Sequence, residues 1–236
     1  PQLEQQRIVA RIEELMPIAD KYEKSQETLD KLNAEIFDQL KKSVLQEAIQ
    51  GKLIPQNPND EPASVLLERI KEEKAKLFKE GKLKKKDLVD SVIFKGDDNK
   101  YYEKVGSEVS CIEDDIPFEI PSSWCWVRHN ELFDISGGSQ PPKSSFVEFP
   151  KKGYIRLYQI RDYGPNPQPV YISISSASKI SQKGDILLAR YGASLGKVFY
   201  AEDGAYNVAI AKVIPQYDGE LIYKPYIYLY YCSSIY

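Results

Sequence analysis

Histidine occurs once in these 236 residues, at His129, and methionine only once as well. A lone imidazole excludes a histidine-built zinc cluster, and Cys111, Cys125 and Cys232 contain no CxxC pair. Their odd number suits reduced thiols in a cytosolic protein better than a disulfide framework. No run of about 20 apolar residues occurs, so no membrane span is expected. The chain opens at Pro1 without a basic and apolar leader, so no signal peptide is expected either. The tyrosine-rich stretch YIYLYYCSS near the end is too short and polar for a span and reads as a buried helix or strand. What is present is enough to build a core: 42% apolar and 28% charged residues.

The net charge of −3 hides a local imbalance. Between Ser136 and Lys212 there are ten Lys and Arg against five acids, a surplus of five positive charges. Residues 111–135 hold one base, Arg128, and six acids. A basic region set apart from an acidic flank is the electrostatic footprint of a nucleic-acid contact, although a solvated surface would look the same.

Tyrosines are also unevenly spread: of 17, only Tyr22 precedes Asn99. The first region reads helical from Leu3 to about Gln50 and again from Ser64 to Lys79. Ile8, Leu15, Tyr22, Leu29 and Ile36 recur every seven residues, with Ile12, Ala19, Gln26, Asn33 and Leu40 four residues after each. That is a heptad seam, narrow and flanked by charge, with Gln26 and Asn33 as the polar members that fix register. Such a helix must find another helix. Gly51 stops it, the proline-rich LIPQNPNDEPAS makes a loop, and Ser64 is placed to cap the next helix. The basic run KLKKK at 82–86 reads as a solvated helix end rather than a phosphate contact, and KGDDNKYYEK as a hairpin or turn.

From Ile116 onward, short runs rich in β-branched and aromatic residues alternate with Gly, Pro and Asp turns: YIRLYQI, GDILLARYG, KVFYAED and YNVAIAKVIP. The fold class is therefore α+β, a long coiled-coil-type helix followed by a mixed, mostly β domain. The expected division is 1–54 for the helix, 55–115 for a linker with a short helix and hairpin, and 116–236 for the β domain. SGGSQPPKSS and RYGASLGKV carry the most unusual backbone demands. RYGASLGKV is not a nucleotide-binding P-loop: three residues, not four, separate Gly192 from Gly196, and Val198 follows Lys197 where Ser or Thr is needed. Two readings remain, a plain turn and a DNA contact in which the glycines bring backbone close to a strand.

Taken together, the residues resemble the specificity subunit of type I restriction-modification enzymes. EQQRIVARIEEL (4–15) is similar to the opening of that family's spacer helix, and SVLQEAIQGKLIPQNPNDEPASVLLERIK (43–71) to its continuation. IPSSWCWVRHNELFDISGG (120–138), GYIRLYQIRD (153–162), GDILLARYGASLGKV (184–198) and YNVAIAKVIP (206–215) resemble successive parts of a target recognition domain. The family usually has an acidic residue where Gln159 stands and Leu-Gly at His129 and Asn130. The chain begins at the spacer helix and reads as an excerpt of a longer subunit, its second recognition domain incomplete.

The resemblance implies a non-enzymatic reader of double-stranded DNA that recognises one half of a bipartite target. Its partners would be methyltransferase (M) subunits, restriction and translocase (R) subunits, and a second conserved helix of the same or another specificity chain, with no membrane. It implies no cofactor in this chain; methyl donor, ATP and magnesium belong to partner subunits. The expected location is the cytoplasm of a bacterial or archaeal cell. DNA contact is expected at Ser139, Gln140 and Lys143, at Arg156, Gln159 and Arg161, and at Arg190, Gly192, Ser194, Gly196 and Lys197. Lysines would meet phosphate, while Arg and Gln would reach base edges. Helix pairing falls on Ile8, Ile12, Leu15, Tyr22, Leu29, Ile36 and Leu40. Tyr154, Tyr158 and Tyr191 read as core or strand-pair aromatics, and Asn207 as a brace for the loop. The alternative is a coiled-coil protein-interaction adaptor without DNA binding. No acid, base or nucleophile constellation supports an enzyme.

Overall fold

The computed structural model describes residues 1–83, 88, 91–217 and 219–233. Lys84, Lys85 and Lys86, the core of the basic run, lie outside them. The chain divides into two compact units, Pro1–Glu47 and Ala48–Tyr236.

The first unit is all but the last turn of one helix, α1 (Gln2–Ile49), which runs on into the second. At 1.5 Å per residue its 48 residues extend about 72 Å. The expected seam residues Ile8, Ile12, Leu15, Tyr22, Leu29, Ile36 and Leu40 are 44–70% exposed. The apolar stripe is wider than the heptad alone indicates. Val9 and Met16 flank it near one end and Phe37 and Val44 near the other, all exposed, while Glu23 and Asp30 occupy the matching positions between. Gln26 is satisfied along its own helix, its amide donating to Asp30 Oδ1 at 3.0 Å. Pro17 sits inside α1. Its ring removes the N–H that would bond the Glu13 carbonyl, an interior cost of about 3 kcal/mol.

In the second unit, Gly51 takes φ +70° and ends the helix, as its position predicts. Helix α2 spans Ala63–Lys79. Its cap position is Pro62, without a side-chain cap hydrogen bond, so Ser64 lies within the first turn and does not cap it. Proline supplies a fixed φ and has no N–H to leave unsatisfied, which suits a helix start. Strands β1 (Ser91–Lys95), β2 (Tyr101–Val105) and β3 (Glu108–Cys111) form an antiparallel sheet, so the expected hairpin gains a third strand. Asn99 adopts φ +67° in the first turn, a conformation asparagine tolerates.

Two four-stranded sheets follow a one-turn helix, α3 (His129–Leu132). One has the order β4 (Phe133–Gly137), β11 (Ile210–Pro215), β8 (Ile186–Ala189), β9 (Val198–Tyr200), with every pair antiparallel. The other has the order β6 (Tyr171–Ser173), β5 (Tyr154–Tyr158), β10 (Gly204–Tyr206), β7 (Ile180–Ser181), with β5 and β10 parallel. Helix α4 (Lys224–Tyr231) carries the tyrosine-rich stretch, with Ile227 and Tyr231 buried.

Strand β8 explains how the layers join. All four of its residues are buried. Ile186 and Leu188 enter a core with Ile70 of α2, Phe133 of β4, Val213 of β11 and Tyr231 of α4. Leu187, pointing the other way, packs with Ala201, Tyr206 and Ile210. A strand covered on both faces needs the unbroken apolar run ILLA in place of an alternating pattern. A third cluster, Leu157, Val170, Ile172 and Ala205, holds β5, β6 and β10.

Candidate nucleic-acid interface

Five chain segments converge at one end of the two sheets. Strands β4 and β8 end there and β11 begins there, with Ala211 facing Gly137 on one side and Leu188 on the other. Strands β5 and β10 end there together, since Tyr206 pairs with Tyr158. The turn from β10 into β11 ties them: Asn207 N donates to Tyr158 O at 3.0 Å, and Gly138 N donates to Ile210 O at 2.8 Å. Asn207 is 8% exposed, and its Oδ1 accepts from Ala209 N at 3.2 Å, which makes it the expected brace.

The tip between β8 and β9 hangs from this end. Ala189 N donates to Lys197 O at 2.9 Å, closing the loop, and a single helical turn covers Gly192–Ser194. Gly192 and Gly196 have φ of +78° and +81°, a region where side chains are disfavoured. Arg190, Gly192, Gly196 and Lys197 are exposed and Ser194 is half-buried. Arg190 is anchored at its backbone, N donating to Ala209 O at 2.9 Å, and its Nη1 lies 3.4 Å from Val208 O. Tyr191, expected as a core or strand-pair aromatic, is 49% exposed and lies outside any strand, because the sheet ends at Ala189 and the chain leaves it there. Leu195 is 69% exposed beside it, and neither residue was singled out as a surface group from sequence.

The other expected contacts fall into two sets. Gln140, Lys143 and Arg161 are exposed, and Ser139 is half-buried with its N donating to Tyr206 O at 3.3 Å. Arg161 shares a surface hollow with Glu148 and Gln168. Arg156 and Gln159 turn inward. The Arg156 side chain is 26% exposed, lies over the Tyr158 ring at 4.5 Å, and has Nη2 3.7 Å from Asp162 Oδ1. The fully buried Asp162 carboxylate also accepts from Gln159 N at 2.8 Å and Gln168 N at 3.0 Å. The Gln159 side chain accepts from the Asp162 backbone in return, a reciprocal cap on the turn Ile160–Tyr163. Tyr158 and Tyr163 extend this packing, Tyr163 stacking on Phe199 at 4.6 Å. Burial raises the pKa of both phenols, so they stay neutral.

Two further lysines of the basic segment are held by the fold. Lys179 Nζ donates to Ser136 Oγ at 2.9 Å, and Lys212 Nζ bonds Ile180 O and Asp185 Oδ2 at 3.0 and 3.1 Å. Among the described residues no group of three or more His, Cys, Asp or Glu could hold a metal ion. Among them, too, no helix is long and apolar enough to cross a membrane.

No family profile matches the chain. It is 42% identical over 101 residues to the Escherichia coli type I restriction enzyme EcoAI specificity subunit, covering 43% of this chain and 14% of that protein. It is 41% identical over 106 residues to the E. coli EcoEI specificity subunit, covering 44% and 15%. The matched part is thus about a seventh of the relatives' lengths. Among solved structures, the HsdS subunit from Thermoanaerobacter tengcongensis aligns with TM-score 0.41 at 24% identity, over 49% of this chain and 29% of that one. A chain from a type I R-M system aligns with TM-score 0.44 at 21% identity, over 100% and 42%. The resemblance expected from the motifs thus stands on these two relatives: over somewhat under half its length the chain is similar to specificity subunits of type I restriction enzymes.

Proposed function

We propose that this chain reads one half of a bipartite target in double-stranded DNA, as the non-catalytic recognition component of a type I restriction-modification complex in the cytoplasm of a bacterial or archaeal cell. The observation that carries the reading is the exposed tip Arg190–Lys197, anchored at the end where five segments meet, in a region with a surplus of positive charge. An anchored backbone with exposed Arg and Lys suits direct contact: lysine finds phosphate, and a guanidinium can bond a guanine edge bidentately. Gln140, Lys143 and Arg161 would extend the contact, and Ser139 and Ser194 would add hydroxyls from half-buried positions. Helix α1 would pair through its exposed seam with a second spacer helix and dock methyltransferase subunits. Methyl transfer, ATP hydrolysis and their cofactors would reside in the M and R subunits.

The test is co-expression with the methyltransferase subunit from the same operon, followed by methylation mapping of host DNA. Arg190→Ala with Lys197→Ala should abolish or relax a bipartite motif while the complex still assembles. An unchanged motif would assign the tip a turning role only. Absence of salt-sensitive duplex binding by the assembled complex would favour a protein-interaction adaptor.

A further inference from the structure

We infer that Gly137 is a positioning residue for Arg190: its missing side chain is the seat on which the guanidinium rests across the end of the sheet. The inference rests on the DNA-reading role proposed for the tip. Gly137 is the last residue of β4, and Arg190 directly follows β8, with β11 between the two strands. To reach β4 the arginine side chain must cross the middle strand. It does so where β11 starts, its backbone held by Ala209 O and its Nη1 near Val208 O.

A Cβ built on Gly137 would lie 2.5 Å from Arg190 Nη1, 3.1 Å from Cζ and 3.7 Å from Nη2. Those are the three heavy atoms nearest to it, so the group that the glycine first makes room for is this guanidinium. Gly137 takes no positive φ, and its strand register with Ala211 asks nothing special of it. Glycine inside a strand otherwise weakens it and commonly marks the close approach of another group. The adjacent Gly138 has a different reason: a Cβ there would lie 2.0 Å from the Asn207 carbonyl oxygen, so it is required by the backbone itself.

A methyl at position 137 therefore displaces the arginine head while leaving the strand intact. A seated guanidinium presents its remaining N–H groups to DNA from a fixed place; a displaced one must be ordered again on binding. Gly137 thus acts on recognition through Arg190, and only through it.

The experiment is a double-mutant cycle on the full chain with Gly137→Ala and Arg190→Ala. It reads affinity for a mixed-sequence DNA duplex, thermal midpoint, and the Arg190 side-chain N–H resonance. Gly137→Ala should shift that resonance and weaken duplex binding roughly fivefold, the scale of one good arginine contact. In the Arg190→Ala background it should cost no further affinity and no thermal stability, because the atoms it would strike are gone. An unmoved Arg190 resonance would overturn the inference. So would a fully additive loss of affinity, or a double variant markedly less stable than Arg190→Ala. If the resonance shifts but neither variant changes duplex binding, the seat stands and the DNA-reading role of Arg190 falls.

Discussion

The single histidine is tied to the last helix: His129 Nε2 lies 2.6 Å from the Tyr231 hydroxyl, a partner 102 positions away in sequence. The ring also meets Phe133 at 5.6 Å and Tyr231 at 5.9 Å between centroids, so it serves the core that β4, β8 and β11 share with α4. Burial lowers its pKa below the usual histidine value. Between that lowered value and about 6.5 the unfolded chain binds more protons than the folded one. Stability is therefore complete above the unfolded value and declines as pH falls through the window. The urea midpoint should drop from about pH 7.5 to about pH 5.5, and His129→Leu should flatten that drop.

Glu103 gives a second limb at lower pH. Its carboxylate accepts from Arg128 Nε at 3.0 Å and Nη2 at 2.5 Å and from Ser91 Oγ at 2.5 Å. The bonds from Arg128 first, and that from Ser91 next, hold its pKa below the ordinary glutamate range. This contribution is complete above the unfolded pKa and is lost as pH falls through the lowered folded one. Glu103→Gln should cost about 1 kcal/mol at neutral pH, a value discounted for the exposure of Arg128, and should reduce the loss of stability on acidification.

Asp162 and Arg161 are adjacent but should behave oppositely. Removing the buried carboxylate with Asp162→Ala strands Arg156 and releases two backbone N–H groups, a loss of about 3 kcal/mol in unfolding measurements. Arg161→Ala, at an exposed position, should leave the thermal midpoint unchanged and weaken duplex affinity. Arg156→Ala should resemble Asp162→Ala rather than Arg161→Ala.

These contrasts mark where sequence legibility ended. The period of Ile8, Leu15, Tyr22, Leu29 and Ile36 announces α1 because repeating apolar spacing is visible along one chain. Pro17 breaks a local rule inside that helix, and a reading that follows the seam passes it by. Strands β5, β8, β9 and β11 are legible from β-branched runs between glycines. Which face of β5 turns inward is not, because alternation sorts Arg156 from Leu157 without saying what Asp162 will offer from the next turn. Likewise SGG announces unusual backbone demands, but the neighbours of Gly137 and Gly138 are about 50 and 70 residues away, and only the fold brings them close.

For α1, the exposed seam together with Val9, Met16, Phe37 and Val44 predicts self-association of the isolated chain. Sedimentation at micromolar concentration should show dimers or larger species. Leu29→Lys with Ile36→Lys should shift the population to monomer, and a clean monomer for the unmodified chain would contradict the pairing role.

The bond from Ala189 N to Lys197 O has an evolutionary corollary. It makes the stretch from Arg190 to Lys197 a cassette clipped to a strand whose own side chains are all buried. Leu195 and Lys197 can be exchanged with little penalty to folding, since neither contributes to the clusters beneath. New side chains can thus be sampled at the tip by drift, while β8, Asn207 and Gly138 hold the frame beneath them.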